Sequence, residues 1–357
     1  MKIAILSMQE VKNYGSFLQA YSLKSNIEAL GHTCDFINIV PGEQLGEYKI
    51  SRFHKLRLLK ERLLGWDFMK RFNAIYTFQK RFSREFLPEL GVKPGMNENH
   101  YDVVVIGSDE VFNCAQKTWF GFSRQLFGEG LNADKVITYA ASFGATTVAK
   151  LETLGIKDTV AGLLKKLDKI SVRDANSVKV VKNLTGIAPI RNVDPVLIYD
   201  YTKCMPQNVD LKDYMIVYTY PNRITDPIEI KAIQSYAKSK GLQIISIGHY
   251  FPWCDKTIVS HPFEVLAYFR DAKCIVTDTF HGSVFSIKYN KQFCTIVRGM
   301  NSNKLTYLLE QFGLSNRIVN DLDRLPMIME TPIDYAPVNE KIKQEQEYSI
   351  DYLKENL

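Results

Sequence analysis

The chain has 357 residues, 46% of them hydrophobic and 24% charged, the balance of a globular protein long enough for two domains with separate cores. No apolar run reaches about 18 residues, which excludes a transmembrane helix, and the opening Met1–Met8 is too short for a signal peptide and reads as a strand. The net charge is +6, yet eleven Lys and Arg against two acids fall between Lys49 and Arg84, so this segment carries +9 and the remainder −3, which points to one charged surface rather than a generally basic, nucleic-acid-binding protein.

Residues 2–7 read as a strand ending in the polar turn Asn13-Tyr14-Gly15-Ser16. Ser16 is the expected N-cap of a helix from Phe17 to Leu30, which stops at Gly31. A second strand over Cys34–Val40 completes a βαβ opening. From 48 to 87 the alternation breaks. Leu56, Leu59, Leu63, Phe68, Phe72, Ile75, Phe78, Phe82 and Phe86 recur at three- to five-residue spacing, which predicts helices with an apolar stripe and a basic opposite face, ended by Pro88. Strands follow at 101–106, 135–141 and 169–172, each leading into a polar turn, with helices over 147–167 and from Ser177 to about Asn183.

Residues 201–213 lack periodicity and read as a linker. A second series has strands at 214–219, 242–247, 273–277 and 293–297 and helices at 227–240, 262–271, 283–289 and 303–313. The charged tail reads as helical. Two successive α/β series predict two Rossmann-like lobes: an N-terminal lobe over 1–200 with a basic helical insertion at 48–90, a C-terminal lobe over 214–335, and a helical tail over 336–357. The six cysteines (34, 114, 204, 254, 274, 294) show no CxxC and no zinc-ligand spacing, so reduced thiols in a cytoplasmic protein, no metal and no cofactor are expected.

The most informative stretch is Cys274–Phe293, where a buried-looking strand breaks at Asp278-Thr279-Phe280-His281-Gly282 and resumes as a helix. In a parallel sheet the carboxyl end of a strand opens onto the ligand crevice, and the first turn of the next helix favours an anion. His281 therefore falls where an anionic substrate would be held, with Lys288 and Lys291 close behind in sequence. Its plainer reading is a helix cap.

Six pieces together resemble the polysaccharide pyruvyl transferase family: Asn13–Leu23, Gly107-Ser108-Asp109-Glu110-Val111-Phe112-Asn113, Ser171–Asp174, Val193–Val196, Thr277–Gly282 and Asn301–Glu310. The resemblance implies a fold like the B-type glycosyltransferases, with two Rossmann-like lobes facing a cleft, acceptor on the N-terminal side and donor on the C-terminal side. It implies transfer of pyruvate from phosphoenolpyruvate to a sugar diol as a cyclic ketal, in cell-surface polysaccharide biosynthesis. The chain departs from the pattern in carrying Thr279 where many members have Arg, and Glu110 and Phe112 where the motif often has Gln and Trp. Thr279 keeps a sugar-nucleotide glycosyltransferase open as an alternative, beside a non-catalytic carbohydrate-binding relative.

On this resemblance His281 is the expected acid, since imidazole changes charge near neutral pH. Arg173 is the expected two-point fork for a carboxylate or phosphate. Asp109 is expected as base or acceptor contact. Lys291, Arg298 and Lys304 are donor-anion candidates, and Asn13, Tyr14 and Gln19 face the acceptor. Ser108, Asn113, Thr279, Gly282 and Ser283 complete the substrate-binding set through their place in the motifs. Glu264 offers a ribose contact under the sugar-nucleotide alternative. The basic segment 49–84 reads either as a solvated helical face or as a surface docking on the anionic inner face of the membrane, where a lipid-linked sugar acceptor would be met.

Overall fold

A computed structural model describes residues 1–45, 66–299 and 302–357. The first sheet has the order β2-β1-β3-β4-β5-β6. Its strands are β1 (Lys2–Leu6), β2 (Thr33–Phe36), β3 (Tyr101–Asp109), β4 (Ala133–Ala141), β5 (Ser171–Val172) and β6 (Ile190–Arg191). The second has the order β12-β11-β10-β7-β8-β9, from β7 (Tyr214–Tyr218), β8 (Gln243–Ile247), β9 (Lys256–Ile258), β10 (Cys274–Thr277), β11 (Gln292–Ile296) and β12 (Ile318–Val319). Among the described residues every pairing between these strands is parallel. Parallel strands need helical crossovers that cover both faces, which is why the strand interiors read as continuous Val/Ile runs. Two Rossmann-like lobes result, as the alternation predicts. The short strands β6, β9 and β12 are not legible in the sequence, because two or three residues carry no visible period.

Each sheet reverses its winding at one place, β1/β3 in the first lobe and β7/β10 in the second. Crevices open at such points, at the carboxyl ends of the strands. The helices that follow these strands are α1 (Tyr14–Ala29) after β1 and α10 (Phe280–Lys288) after β10. Both start three residues earlier than expected. Asn13, not Ser16, caps α1: its side chain accepts the Ser16 N–H at 2.7 Å. Thr279 caps α10 by accepting from Gly282 N–H at 2.9 Å, so the helix begins at Phe280 and His281 lies within its first turn. The region 147–167 is two helices, α4 (Val148–Thr153) and α5 (Lys157–Leu164), parted at Gly155 with φ 69°.

The insertion contributes α2 (Trp66–Arg81), which continues through a wide turn at Phe82–Phe86 into α3 (Leu87–Leu90). Leu56, Leu59 and Leu63 of its apolar stripe lie outside the described residues, and among the described ones only the later part is buried. Phe78, Phe82 and Phe86 join the core, while Phe72 is 52% exposed. Lys49, Arg52, Lys55, Arg57, Lys60 and Arg62 lie outside the described residues. Among the described residues no helix is long and apolar enough to cross a membrane.

The lobes are tied together over a common apolar seam that includes Phe17, Tyr201, Phe263 and Phe285. Tyr14 crosses it to donate its hydroxyl to the Ser260 carbonyl at 3.1 Å. The tail forms α13 (Ala336–Asn356), which returns to the first lobe, where the Tyr352 hydroxyl donates to Thr138 O at 2.8 Å and Glu345 meets Arg191 at 3.0 Å. The linker region is pinned by Tyr201, whose hydroxyl donates to Leu18 O at 2.7 Å.

Candidate active site

A cleft of about 580 Å³ lies between the lobes at the two reversal points. The first lobe lines it with Asn13 and Ser16 after β1, Asp109, Glu110 and Asn113 after β3, and Arg173 after β5; the second with Tyr220 and Arg223 after β7, Phe280 and His281 after β10, and Lys304. Lys304 belongs to α11 (Ser302–Gln311).

Its floor is a buried charge cluster. Arg173, with a side chain only 2% exposed, donates from one terminal nitrogen to Asp194 at 2.8 Å and from the other to Asp109 at 3.0 Å. The expected fork for a substrate anion is therefore occupied by the protein's own carboxylates. Its face lies over the Phe280 ring at 4.3 Å. Burial pushes the Asp109 and Asp194 carboxyls up, but the surrounding positive groups outweigh it, Arg173 foremost for Asp109 and His281 and Arg173 for Asp194, and hold both below the ordinary carboxylate value. Asp109 also accepts from the Ser16 hydroxyl at 3.2 Å and sits at φ 75°, a left-handed conformation rare for a residue with a side chain.

His281 reaches across from the second lobe. Its Nε2 lies 3.5 Å from Asp194, longer than a good hydrogen bond, and has no hydrogen-bond partner. The other side of the ring rests on Gly15 of α1, where an added Cβ would fall 2.1 Å from Nδ1. The imidazole is thus gripped by the first lobe on two sides. Gly282 is equally constrained, because a Cβ there would lie 2.1 Å from the Thr277 hydroxyl oxygen. Lys304 bridges the lobes in an ion pair with Glu110. Burial raises the Glu110 carboxyl and Lys304 lowers it, with the net below its ordinary value.

Of the residues expected from sequence, His281, Asp109, Arg173, Asn13, Asn113 and Lys304 meet in this cleft. The others do not. Gln19 and Ser108 are fully buried and bond each other at 2.9 Å, beneath the turn. Tyr14 is 2% exposed and serves the interlobe seam. Thr279 and Ser283 are buried in the cap of α10, with Ser283 3.0 Å from the Thr295 hydroxyl. Lys291 precedes β11, at the strand end away from the crevice, and donates to Arg270 O at 2.8 Å. Lys288 closes the far end of α10 on Tyr199 O at 2.6 Å. Arg298 holds Glu229 at 2.8 Å and Asp278 at 3.2 Å. Glu264 forms a capping box at α9 (Pro262–Asp271).

Sequence reasoning missed Asp194, Glu110, Tyr220 and Arg223 as site residues. Asp194 carried a readable signal, Asp-Pro at a helix start, and it does cap α7 (Pro195–Ile198) through Val196 N–H at 3.1 Å. Its second oxygen, which meets Arg173, left no local trace. Tyr220 and Arg223 fall in a turn of ordinary composition.

The family model described as polysaccharide pyruvyl transferase matches residues 13–299. Among solved structures, a glycosyltransferase of kitacinnamycin is 10% identical, with 100% of this chain and 99% of that chain covered at a TM-score of 0.51. The UDP-GlcNAc 2-epimerase of Neisseria meningitidis bound to UDP-GlcNAc is 12% identical, with both chains covered to 100% at a TM-score of 0.51. The UDP-GlcNAc 2-epimerase of Methanocaldococcus jannaschii is 12% identical, with 98% and 100% covered at a TM-score of 0.50. At such identities these likenesses show the fold alone, that of the B-type glycosyltransferases and epimerases. A comparison with curated proteins returns no match.

Proposed function

As the chain belongs to the polysaccharide pyruvyl transferase family, we propose that it moves pyruvate from phosphoenolpyruvate to a sugar diol as a cyclic ketal. The observation that carries this reading is the meeting of His281 from one lobe with the Asp109–Arg173–Asp194 cluster of the other at the floor of an open cleft. Ketal formation needs an acid for the methylene carbon and a base for the attacking hydroxyl.

In this scheme His281 delivers a proton to the methylene carbon, which becomes the methyl group. Positive charge develops at the central carbon, and the first sugar hydroxyl adds there while Asp109, held ionised, accepts its proton. Phosphate then leaves with the electron pair of its C–O bond. The second hydroxyl takes its place and closes the ring, and its proton leaves with the phosphate. Asp194 and Arg173 act through their neighbours: Arg173 fixes Asp109, and Asp194 borders the imidazole. The lipid-linked acceptor and a membrane contact through 49–84 belong to the same proposal and rest on the charge of that segment, while the cytoplasmic location rests on the six scattered cysteines.

The test is phosphate release from phosphoenolpyruvate with a panel of lipid-linked and simple β-galactoside acceptors. Release that depends on acceptor, with acid-labile pyruvate recovered on the sugar, is expected. Consumption of a UDP- or GDP-sugar with no phosphate release from phosphoenolpyruvate would replace this reading with glycosyl transfer. Binding of acceptor with neither reaction would make the chain a carbohydrate-binding relative.

A further inference from the structure

A second cavity, of about 240 Å³, lies at the carboxyl ends of β7 and β8. It adjoins the cleft across a single turn. Tyr220 and Arg223 of that turn line the cleft, whereas Asn222 and Thr225 line the cavity. The turn after β8 adds His249, Phe251 and Trp253, and α2 of the insertion adds Ile75. This second turn is held in place: the Tyr250 hydroxyl donates to Asp67 of α2 at 2.6 Å, and the Phe251 and Trp253 rings lie 5.9 Å apart. The His249 ring lies 6.1 Å from that of Tyr220, so one layer of side chains parts the cavity from the cleft.

His249 has no evident duty in the fold. Its Nδ1 is buried without a hydrogen-bond partner, which costs stability that an apolar ring of similar shape would not. Burial pushes the imidazole down to about 4, so at pH 7 the ring is neutral and offers one donor and one acceptor. Asn222 and Thr225 add neutral polar groups, and Phe251 and Trp253 add apolar planes. Among the described residues no carboxylate lines the cavity, and the one cation that does, Arg71, already has a partner within the protein. Such a lining suits an uncharged ring with two apolar faces and a polar edge. A hexose is built that way: its C–H faces pack on aromatic planes and its hydroxyls need neutral donors and acceptors. We propose that this cavity binds an unreactive sugar ring of the acceptor, next to the sugar whose diol reacts in the cleft. That the ring belongs to an acceptor of pyruvyl transfer rests on the function proposed above; the sugar site itself rests on the cavity.

The full chain is compared with His249→Phe and Trp253→Leu. Calorimetry follows the binding of methyl β-galactoside, of a neutral trisaccharide ending in β-galactose, and of uridine, and phosphate release from phosphoenolpyruvate is measured with the two sugars. The parent is expected to bind the trisaccharide at least ~10-fold tighter than the monosaccharide, and Trp253→Leu to lose about tenfold of that preference with its aromatic plane. His249→Phe should lose at least ~3-fold of it, the worth of a hydrogen bond, yet melt at or above the parent, because Nδ1 has no bond within the protein to lose. A histidine kept for structure alone gives the opposite pair, lower melting with the preference intact, and that result would overturn the proposal. So would a parent with no preference for the longer sugar, or uridine binding that Trp253→Leu abolishes, which would make the cavity a nucleoside site. Trisaccharide binding weakened in both variants, with no phosphate release from phosphoenolpyruvate, would sink the pyruvyl-transfer reading and leave the sugar site standing. Phosphate release at equal acceptor KM for both sugars, in the parent and in both variants, would do the reverse.

Discussion

The turns after β3 and β10 occupy equivalent places in the two lobes, yet they are built in opposite ways. The turn after β10 is a regular helix start: Thr279 caps, Gly282 packs on Thr277, and His281 falls in the first turn. The turn after β3 has no helix to rest on. Asp109 takes a left-handed backbone conformation, and its carboxylate is held by Arg173 and Ser16, 64 and 93 residues away in sequence. One lobe offers a side chain by local geometry, the other by long-range charge pairing. The difference teaches that only the first kind of turn can be varied residue by residue, because the second is a network whose members stand or fall together.

Breaking the long-range half should have the largest effect. Arg173→Ala leaves buried Asp194 and half-buried Asp109 without their cation, and loss of a buried partner costs about 3–5 kcal/mol. Denaturant unfolding of the variant should show a loss of that order together with loss of turnover. The pH dependence gives the sign. Asp109 and Asp194 have pKa values held down in the folded state, so their contribution is present above the unfolded carboxylate value and lost as pH falls below it through the folded values. The parent should therefore lose stability below about pH 4, the unfolded carboxylate range, and the variant should show less of this acid-side loss. A variant as stable as the parent at pH 7, with the same acid profile, would mean the cluster is not the support of the β3 turn.

The same contrast explains what the sequence made legible. The alternation of strands and helices and the crevice position of His281 follow from periods and caps within about ten residues. The pattern at 171–174 marks Arg173 as a two-point group but does not name its partners, because nothing near 173 announces Asp109 or Asp194. Lys291 is close to His281 along the chain, whereas the helix that begins at Phe280 runs on past His281 and carries Lys291 to the other end of the sheet. Arg223 reaches the cleft only because β7 lies beside β10, a pairing that needs the fold.

The local half is tested by His281→Ala. With Thr279 and Gly282 retained, α10 keeps its cap, so melting should stay near that of the parent while turnover falls at least ~10²-fold, the usual weight of an acid–base group. Turnover within a few-fold of the parent would remove His281 from the chemistry.

The smallest effect joins the two halves. Gly15 belongs to a helix start in the first lobe, and its missing side chain is what admits the His281 ring. Its backbone is helical, so Ala in that place gains roughly 0.5–1 kcal/mol of intrinsic helix preference over Gly. Against this, the new Cβ would lie 2.1 Å from Nδ1, and the imidazole must move away. Small displacements of a reacting group are costly, about 10²-fold for 1 Å in unfavourable cases, and a ring free to yield partly should lose about tenfold. Gly15→Ala in the parent is therefore expected to lower turnover about tenfold without a matching rise in KM for either substrate. In the His281→Ala background the obstacle is gone, and the same substitution should be neutral or stabilising in denaturant unfolding. Contacting residues show such non-additivity and distant ones do not. Additive stability effects of the two substitutions, with turnover of Gly15→Ala equal to that of the parent, would show that the first lobe does not position the imidazole of the second.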